Sequence, residues 1–288
     1  MTTPHPTADT PAYAPGHAAS QTKHHEWRTA QNSAAHLLPH LDRLAQQTPH
    51  LKLLDVGAGS GTISASLAAH LLPHGGSVLA TDISDAILSR AASHATSQNL
   101  PNITFQRASV YALPFPDGEF HVVHAHQVLC HLPDPAAAIR EMLRVCAPGG
   151  VVALRESDMR MWCVWPEREA LLKFHGLMVD TLVANGGQDK GGRRLVSWVL
   201  DAGAGSLGRG DVEAGFGTWC YSEEGDRRAW GEAMVERLRT GQMREKGIEL
   251  GLTTEEGIEE MIKAWEGWIE TDDATLGIMN GEVIVKKP

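Results

Sequence analysis

Short apolar segments alternate with helix-like segments between residues 50 and 156, and this alternation constrains the fold more than any other feature of the sequence. Strands that are separated by helices pair in parallel, because the chain must cross over the sheet between them. The sequence therefore predicts an α/β fold with a mostly parallel sheet. The predicted strands are 51–56, 77–81, 103–107, 120–125 and 151–155.

The flanking regions have a different pattern. The segment 24–41 looks helical until Pro39, which we expect to bend or break the helix. Amphipathic helices are predicted at 166–184 and 258–269, and 277–288 is predicted to form a strand.

Composition excludes several classes of protein. With 288 residues, of which 42% are hydrophobic, the chain can form one large globular domain. A formal net charge of −10 argues against a protein that binds nucleic-acid phosphates. The four cysteines are scattered, which indicates a reducing compartment and no disulfide framework. No apolar run is long enough to span a membrane, and we expect a cytoplasmic protein.

The segment LLDVGAGSGTIS, residues 53–64, places Gly57, Gly59 and Gly61 where the first strand passes into a helix. Glycine permits a positive φ and lets a ligand approach bare backbone, while the helix N-terminus provides N–H donors. Dinucleotide-binding folds use a similar turn, but their spacing is G-x-G-x-x-G. Asp55, two positions before the first glycine, suits an ammonium or sulfonium ligand better than a pyrophosphate.

Asp82 lies at the end of the second predicted strand. A carboxylate at this position accepts hydrogen bonds from ribose hydroxyls. It could instead cap the following helix, although Ser84 is better placed to do so. A nucleoside with a cationic amino-acid tail satisfies Asp55, the glycines and Asp82 together, and S-adenosylmethionine is such a ligand.

Five ordered segments give the chain its resemblance to a known family: LLDVGAGSG, VLATDIS, ALPFPDGEFHVV, VLCHLPDP and REMLRVCAPGGVVALRE. The region 24–158 resembles the class I S-adenosylmethionine-dependent methyltransferases, especially the ubiquinone/menaquinone-biosynthesis type and the fungal small-molecule methyltransferases. The resemblance implies a Rossmann-like fold, with a seven-stranded mostly parallel sheet flanked by helices and with helical cap elements.

The same resemblance implies a domain organisation. We expect a disordered tail at 1–20 and one methyltransferase domain at 21–288. Within that domain, 21–50 would be an N-terminal helical cap and 51–158 the cofactor-binding core. The remainder, 159–288, would supply substrate-cap helices and the final strands.

The resemblance also assigns cofactor-binding roles. The methionine end of the cofactor would be held by Asp55, Gly57, Gly59 and Gly61, the ribose by Asp82, and the adenine by Ile83. Many members carry a small residue and Asp before the fourth strand; here Ala108 and Ser109 stand there, and Ser109 is a weaker candidate. Further cofactor contacts are expected from the N-terminal helix and the end of the fourth strand, namely Arg28, Thr29, His126 and Gln127.

Histidines near the fourth strand are candidates for two roles. His126 and His131 could act as a general base for a hydroxyl acceptor. The group His121, His124, His126 and His131 also suggests a metal site, but strand alternation puts His121 on the opposite face from His124 and His126. We therefore predict no metal.

The acceptor is expected to be a small, largely apolar metabolite with an oxygen, sulfur, nitrogen or carbon nucleophile, and not a nucleic acid. Trp162 and Trp165, after the fifth strand, could line its pocket or pack in the core. Two alternatives remain open: a methyltransferase fold that binds the cofactor but regulates or catalyses a non-methylating reaction, and a nicotinamide-dependent dehydrogenase.

Overall fold

The structure is a computed structural model that describes residues 27–203 and 205–288. The tail predicted at 1–20 lies outside the described residues. The strands, β1 to β7 in chain order, are Lys52–Val56, Ser77–Asp82, Ile103–Arg107, Phe120–His126, Cys146–Trp165, Val212–Tyr221 and Thr275–Lys286. The helices, α1 to α10, are Ala30–Ser33, Leu38–Gln47, Thr62–Leu71, Asp85–Ser97, Pro135–Val145, Glu169–Ala184, Gly191–Gly203, Glu224–Thr240, Gln242–Glu249 and Glu255–Ile269.

The seven strands form one sheet in the order β3-β2-β1-β4-β5-β7-β6. Strands β1 to β5 pair in parallel with their neighbours, whereas β7 lies between β5 and β6 and is antiparallel to both. The predicted Rossmann-like architecture, with seven mostly parallel strands and flanking helices, is confirmed.

Helices cover both faces of the sheet. On one face, Ile139 of α5 and Trp198 of α7 pack in a cluster with Val123 and Val152. On the other face, side chains from α1 to α4 pack against the alternate residues of the same strands, such as Val122. Burial of both faces explains why the central strands contain consecutive apolar residues, such as Val122–Val123 and Val151–Leu154.

A third apolar cluster lies beyond the carboxyl ends of the parallel strands. There β5 continues to Trp165, and its extension pairs with the start of β7. Phe174 of α6, Trp230 of α8 and Trp265 of α10 pack in this cluster with Ile278 of β7. The C-terminal helices are therefore held at the sheet edge where open α/β folds bind ligands.

Two local predictions were wrong, and one strand was not predicted. Pro39 does not end a helix but lies in the first turn of α2. Proline is tolerated there because N–H groups of the first turn have no intrahelical acceptor. The fifth strand is not limited to 151–155, because its pairing with β7 extends it to Cys146–Trp165. Strand β6 was not identified, since Gly215 and Gly217 weaken its apolar pattern.

Within the described residues, none of the helices combines the length and the apolar character that crossing a membrane requires.

Candidate functional site

The glycine loop, defined as residues 57–61, connects β1 to α3 at the carboxyl edge of the sheet. Gly57, Gly59 and Gly61 all have positive φ, of 70°, 55° and 76°. A Cβ added at Gly57 would lie 2.4 Å from a methyl carbon of Val128, and one at Gly61 would lie 2.5 Å from the Cβ of Ala91. Around a Cβ at Gly59, by contrast, there is open space. The outer two glycines thus permit close packing, while the middle one exposes bare backbone.

Asp82 joins the glycine loop to the end of β2. Its Oδ2 accepts a hydrogen bond from the Gly59 N–H at 3.1 Å, and its Oδ1 accepts one from the Ser84 N–H at 3.1 Å. Ser84 is also the side-chain cap of α4, as the sequence indicated. The next residue after Asp82, Ile83, is 41% exposed, so an apolar side chain stands open beside the carboxylate.

Asp55 is buried below the loop, and both of its carboxylate oxygens have partners in the protein. Ser64 donates to Oδ2 at 2.5 Å, and the Nδ1 of His124 lies 2.7 Å from Oδ1. Asp55 therefore ties β1 to α3 and β4. Its direct contact with a ligand stays a prediction.

Ser109 lies at the same edge, in the turn after β3. The N–H of Ala108 donates to the backbone oxygen of Asp82 at 3.1 Å, which places this turn next to β2. The hydroxyl of Ser109 accepts a hydrogen bond from the Tyr111 N–H at 3.3 Å. Its position is compatible with the predicted adenine contact.

The end of β4 brings Gln127 and Arg28 together, two residues that are distant in sequence. The Nη2 of Arg28 donates to the Oε1 of Gln127 at 2.8 Å. The Nε2 of Gln127 donates to the hydroxyl of Ser157 at 2.5 Å and to the Oδ1 of Asn280 at 3.4 Å. Gln127 has a positive φ of 52°, uncommon for a residue with a side chain. A polar network thus fixes the boundary expected between cofactor and acceptor.

Thr29 has a local role that sequence reasoning did not assign. Its hydroxyl accepts a hydrogen bond from the Asn32 N–H at 3.3 Å, and the Asn32 side chain accepts one from the Thr29 N–H at 2.8 Å. This reciprocal cap fixes the start of α1 directly after Arg28.

Trp219 of β6 was missed in the sequence. The guanidinium carbons of Arg28 and Arg155 lie 4.8 and 4.5 Å from its ring centroid, and the ring of His126 lies 5.4 Å away. Its indole N–H donates to the backbone oxygen of Asn32 at 2.8 Å. No local motif marks Trp219, because only the pairing of β6 with β7 brings it to this position.

Glu156 was also missed. Its carboxylate is fully buried and accepts hydrogen bonds from the backbone N–H groups of Val128, Leu129 and Cys130 at 2.9, 2.7 and 3.2 Å. An acidic residue two positions after the apolar run VVAL, at the end of a predicted strand, was the available signal.

The two candidate bases are in different surroundings. His126 is buried at the end of β4 beside Trp219. His131 ends the 3-10 helix Leu129–His131. Burial, followed by the positive charges of Arg237 and Arg28, lowers the pKa of His131 to about 4. A neutral imidazole of such low basicity is poorly matched to taking a proton from a hydroxyl near pH 7.

The two tryptophans predicted near the substrate are placed differently. Trp162 is half-buried and packs against Phe174 and His175, with ring centroids 5.8 and 4.6 Å away. Trp165 is 57% exposed at the far end of the β5 extension, where its indole N–H donates to Asp273. Their contact with a substrate stays a prediction, and the surface position of Trp165 gives it no geometric support.

The histidine group near β4 is divided among separate contacts. His124 is bonded to Asp55, and the Nδ1 of His121 accepts a hydrogen bond from the Lys52 N–H at 3.1 Å. Among the residues that the structure describes, no group of three or more His, Cys, Asp and Glu side chains is arranged to hold a metal ion.

Comparison with known proteins places this site in a family. Residues 54–154 match the family described as a methyltransferase domain. An uncharacterized methyltransferase of Schizosaccharomyces pombe is 27% identical over 285 residues, 96% of each chain. A ubiquinone/menaquinone biosynthesis C-methyltransferase of Shewanella frigidimarina is 32% identical over 139 residues, 48% of this chain and 53% of that relative.

A solved structure agrees with the fold. It is described as a candidate methyltransferase of Bacillus halodurans C-125, and it superimposes with a TM-score of 0.54 and 18% identity over 87% of this chain and 98% of its own. The matched segment, 54–154, contains the glycine loop, Asp82 and the end of β4. Residues 54–154 thus match a methyltransferase domain, and the similarity to proteins named methyltransferases supports a class I S-adenosylmethionine-dependent methyltransferase.

Proposed function

We propose that the chain binds S-adenosylmethionine at the glycine loop and transfers its methyl group to a small, largely apolar metabolite. The observation that carries this proposal is the environment of Gly59. Its backbone adjoins open space, and its N–H is held by the carboxylate of Asp82 at the end of the neighbouring strand. A ligand that lies along the loop can therefore reach both the bare backbone and the remaining lone pairs of Asp82.

The residues present fit this cofactor. Asp82 would accept hydrogen bonds from ribose hydroxyls, and the exposed side chain of Ile83 would pack on an adenine ring. The N–H groups of the glycine loop suit the carboxylate of the cofactor's methionine end. The negative charge of Asp55, below the loop, suits its positively charged groups. When bound, the cofactor supplies an electrophilic methyl group on a positively charged sulfur, so the protein's tasks are positioning and exclusion of water.

The acceptor side of the proposed site would be formed by residues at the end of β4 and in β6. The buried ring of Trp219 packs against the guanidinium of Arg28, and the Arg28–Gln127 pair would offer a polar edge that orients a small molecule. The helices after β5 stand at this edge of the sheet and would shield the acceptor from water. The net charge of −10 favours such a substrate over a nucleic acid.

Isothermal titration calorimetry of the full chain with S-adenosylmethionine and S-adenosylhomocysteine tests the binding step. We expect saturable binding of both, and we expect Asp82→Asn to weaken it about tenfold or more, because a charge-assisted hydrogen bond is lost. Asp85→Asn is the matched control. Asp85 is an exposed carboxylate at the start of α4, three residues after Asp82, and it pairs with Arg107 of β3. If folded protein bound neither S-adenosylmethionine nor S-adenosylhomocysteine, the proposal would be refuted.

A turnover assay separates methyl transfer from the alternative. Incubation with a panel of small hydroxyl, thiol, amine and activated-carbon acceptors should release S-adenosylhomocysteine. Binding of the cofactor without any release over such a panel would instead favour a regulator or a non-methylating enzyme on the same fold.

A further inference from the structure

We propose that Glu156 is a positioning residue, whose carboxylate holds residues 127–131 against the glycine loop and so sets the shape of the cofactor site. This inference rests on the proposed function, because it assigns a role in cofactor binding to a residue that lies behind the site.

The contacts of Glu156 are concentrated on one segment. One carboxylate oxygen accepts from the N–H groups of Val128 and Leu129, and the other accepts from that of Cys130. On the opposite side of the segment, the backbone oxygen of Cys130 accepts from the Gln188 N–H at 2.7 Å. Three consecutive N–H groups of the segment after β4 are therefore bound by one carboxylate, and a backbone donor binds the segment from the other side.

This segment touches the glycine loop directly. The methyl groups of Val128 lie so close to Gly57 that an added Cβ would be 2.4 Å from one of them. Gln127 precedes Val128 and carries the hydrogen bonds to Arg28 and Ser157. A shift of residues 127–131 would therefore move a wall of the glycine loop and the polar edge of the acceptor side together.

The charge of Glu156 determines how well it holds the segment. An ionised carboxylate accepts all three N–H bonds, whereas a protonated one has a donor on one oxygen and disrupts that set. Burial raises the pKa of Glu156 to about 7, against the opposing effect of the hydrogen bonds from Cys130 and the backbone. The carboxylate is thus ionised at pH 8 and mostly protonated at pH 6.

Other groups near Glu156 come from each neighbouring element. The thiol of Cys130 hydrogen-bonds to it, and burial raises the pKa of that thiol well above its ordinary value. On the other side, α7 presents Gly191 close to the Glu156 Cβ. On its own strand, Arg155 pairs with Glu282 and Asp158 pairs with Arg193. The buried thiol stays uncharged between pH 6 and pH 8, whereas the pKa of Glu156 lies within this range.

The test compares Glu156→Gln with Asp158→Asn. Both changes remove a fully buried carboxylate from the same strand, but the hydrogen bonds given for Asp158 go to Arg193 of α7 and not to residues 127–131. Calorimetry with S-adenosylhomocysteine at pH 6, 7 and 8 is run on both variants and on the unmodified protein, with thermal unfolding to confirm that each is folded.

We expect the dissociation constant of the unmodified protein to rise about tenfold from pH 8 to pH 6, as one buried acceptor is lost. Glu156→Gln should bind about tenfold more weakly at pH 8 and show little of this pH dependence, while Asp158→Asn should follow the unmodified protein. If Glu156→Gln binds with the unmodified affinity and pH profile, the positioning role is refuted. If the unmodified protein binds no nucleoside at any pH, it is the proposed function that fails.

A second measurement needs no variant. Amide hydrogen exchange of residues 127–131 in the unmodified protein, corrected for the intrinsic pH dependence of exchange, should show protection that falls as pH decreases from 8 to 6. Protection that is constant over this range would overturn the proposal even if Glu156→Gln does not fold.

Discussion

At the scale of single residues, the three glycines of the glycine loop differ in how closely neighbouring side chains pack against them. Gly57 and Gly61 are each pressed against a neighbouring side chain, whereas Gly59 adjoins open space. All three have a positive φ, in which an L side chain costs about 1–2 kcal/mol. Space, rather than backbone conformation, is what distinguishes a packing glycine from one that faces a ligand.

This difference predicts opposite phenotypes for two similar substitutions. Gly61→Ala should lower the free energy of unfolding by about 2–4 kcal/mol, because overpacking against Ala91 adds to the conformational strain. Gly59→Ala should lose only about 1–2 kcal/mol, yet weaken S-adenosylmethionine binding about tenfold or more, since its methyl group occupies the ligand side. Urea unfolding and calorimetry measure the two effects.

Gly149→Ala provides the control for strain alone. Gly149 has a φ of 76° and open space around a Cβ, but it lies at the amino-terminal end of β5, away from the loop. It should match Gly59→Ala in stability and leave binding unchanged. Equal cofactor affinity in the two variants would show that Gly59 does not face the ligand.

At the scale of elements, the start of the described chain is fastened to β6. Trp219 donates its indole N–H to Asn32, and the guanidinium of Arg28 lies over its ring. The ring of Trp27 meets Trp219 edge-on with centroids 5.6 Å apart. These contacts hold α1 over the site, even though α1 has only four residues and could not be stable alone.

Trp219→Phe should therefore loosen α1. Loss of the indole bond and part of the cation–π contact should lower the free energy of unfolding by about 1–2 kcal/mol. Amide exchange at residues 30–34 should accelerate. Trp165→Phe also removes an indole hydrogen bond, but at an exposed position, and should change stability by less than about 0.5 kcal/mol. Unchanged exchange at 30–34 in Trp219→Phe would contradict this role.

The sequence predicts elements well where their determinants are local. The glycine turn, the Ser84 cap and the strand Ile103–Arg107 depend on neighbouring residues and were predicted closely. Trp219 and Asn280 reach the site only through the strand order, with β7 inserted between β5 and β6. No spacing rule within one segment identifies such contacts, and so the acceptor side of the site was largely missed.

At the scale of the whole molecule, buried histidines make stability dependent on pH. Burial, together with the nearby charges of His124, Arg155 and His40, lowers the pKa of His36 to about 3, although the backbone of Leu154 opposes the shift. The carboxylate of Glu282 lies 3.9 Å from its Nδ1. Since the unfolded chain protonates His36 near pH 6.5 and the folded chain does not, the unfolded state binds more protons below that pH.

Stability should consequently fall as the pH decreases from about 6.5 toward 3. Between pH 7.5 and 5.5, His36 should account for a loss of about 1.4 kcal/mol, and His131, with its pKa of about 4, for a similar amount. Urea unfolding at the two pH values measures the loss. His36→Gln should reduce it, whereas His74→Gln, at an exposed position, should leave it unchanged. An equal loss in all three proteins would show that His36 is not held neutral.

The antiparallel strand β7 also determines when the sheet can be fully assembled during translation. Strand β6 pairs with β7 in the described sheet, so a nascent chain has no docking edge for Val212–Tyr221 until the ribosome has synthesised Thr275–Lys286. The half that carries the glycine loop and Asp82 can assemble early, because β1 to β5 pair among themselves. The half that carries Trp219 and Asn280 must wait, so the emerging polypeptide can form the glycine loop before it can complete the polar network around Gln127.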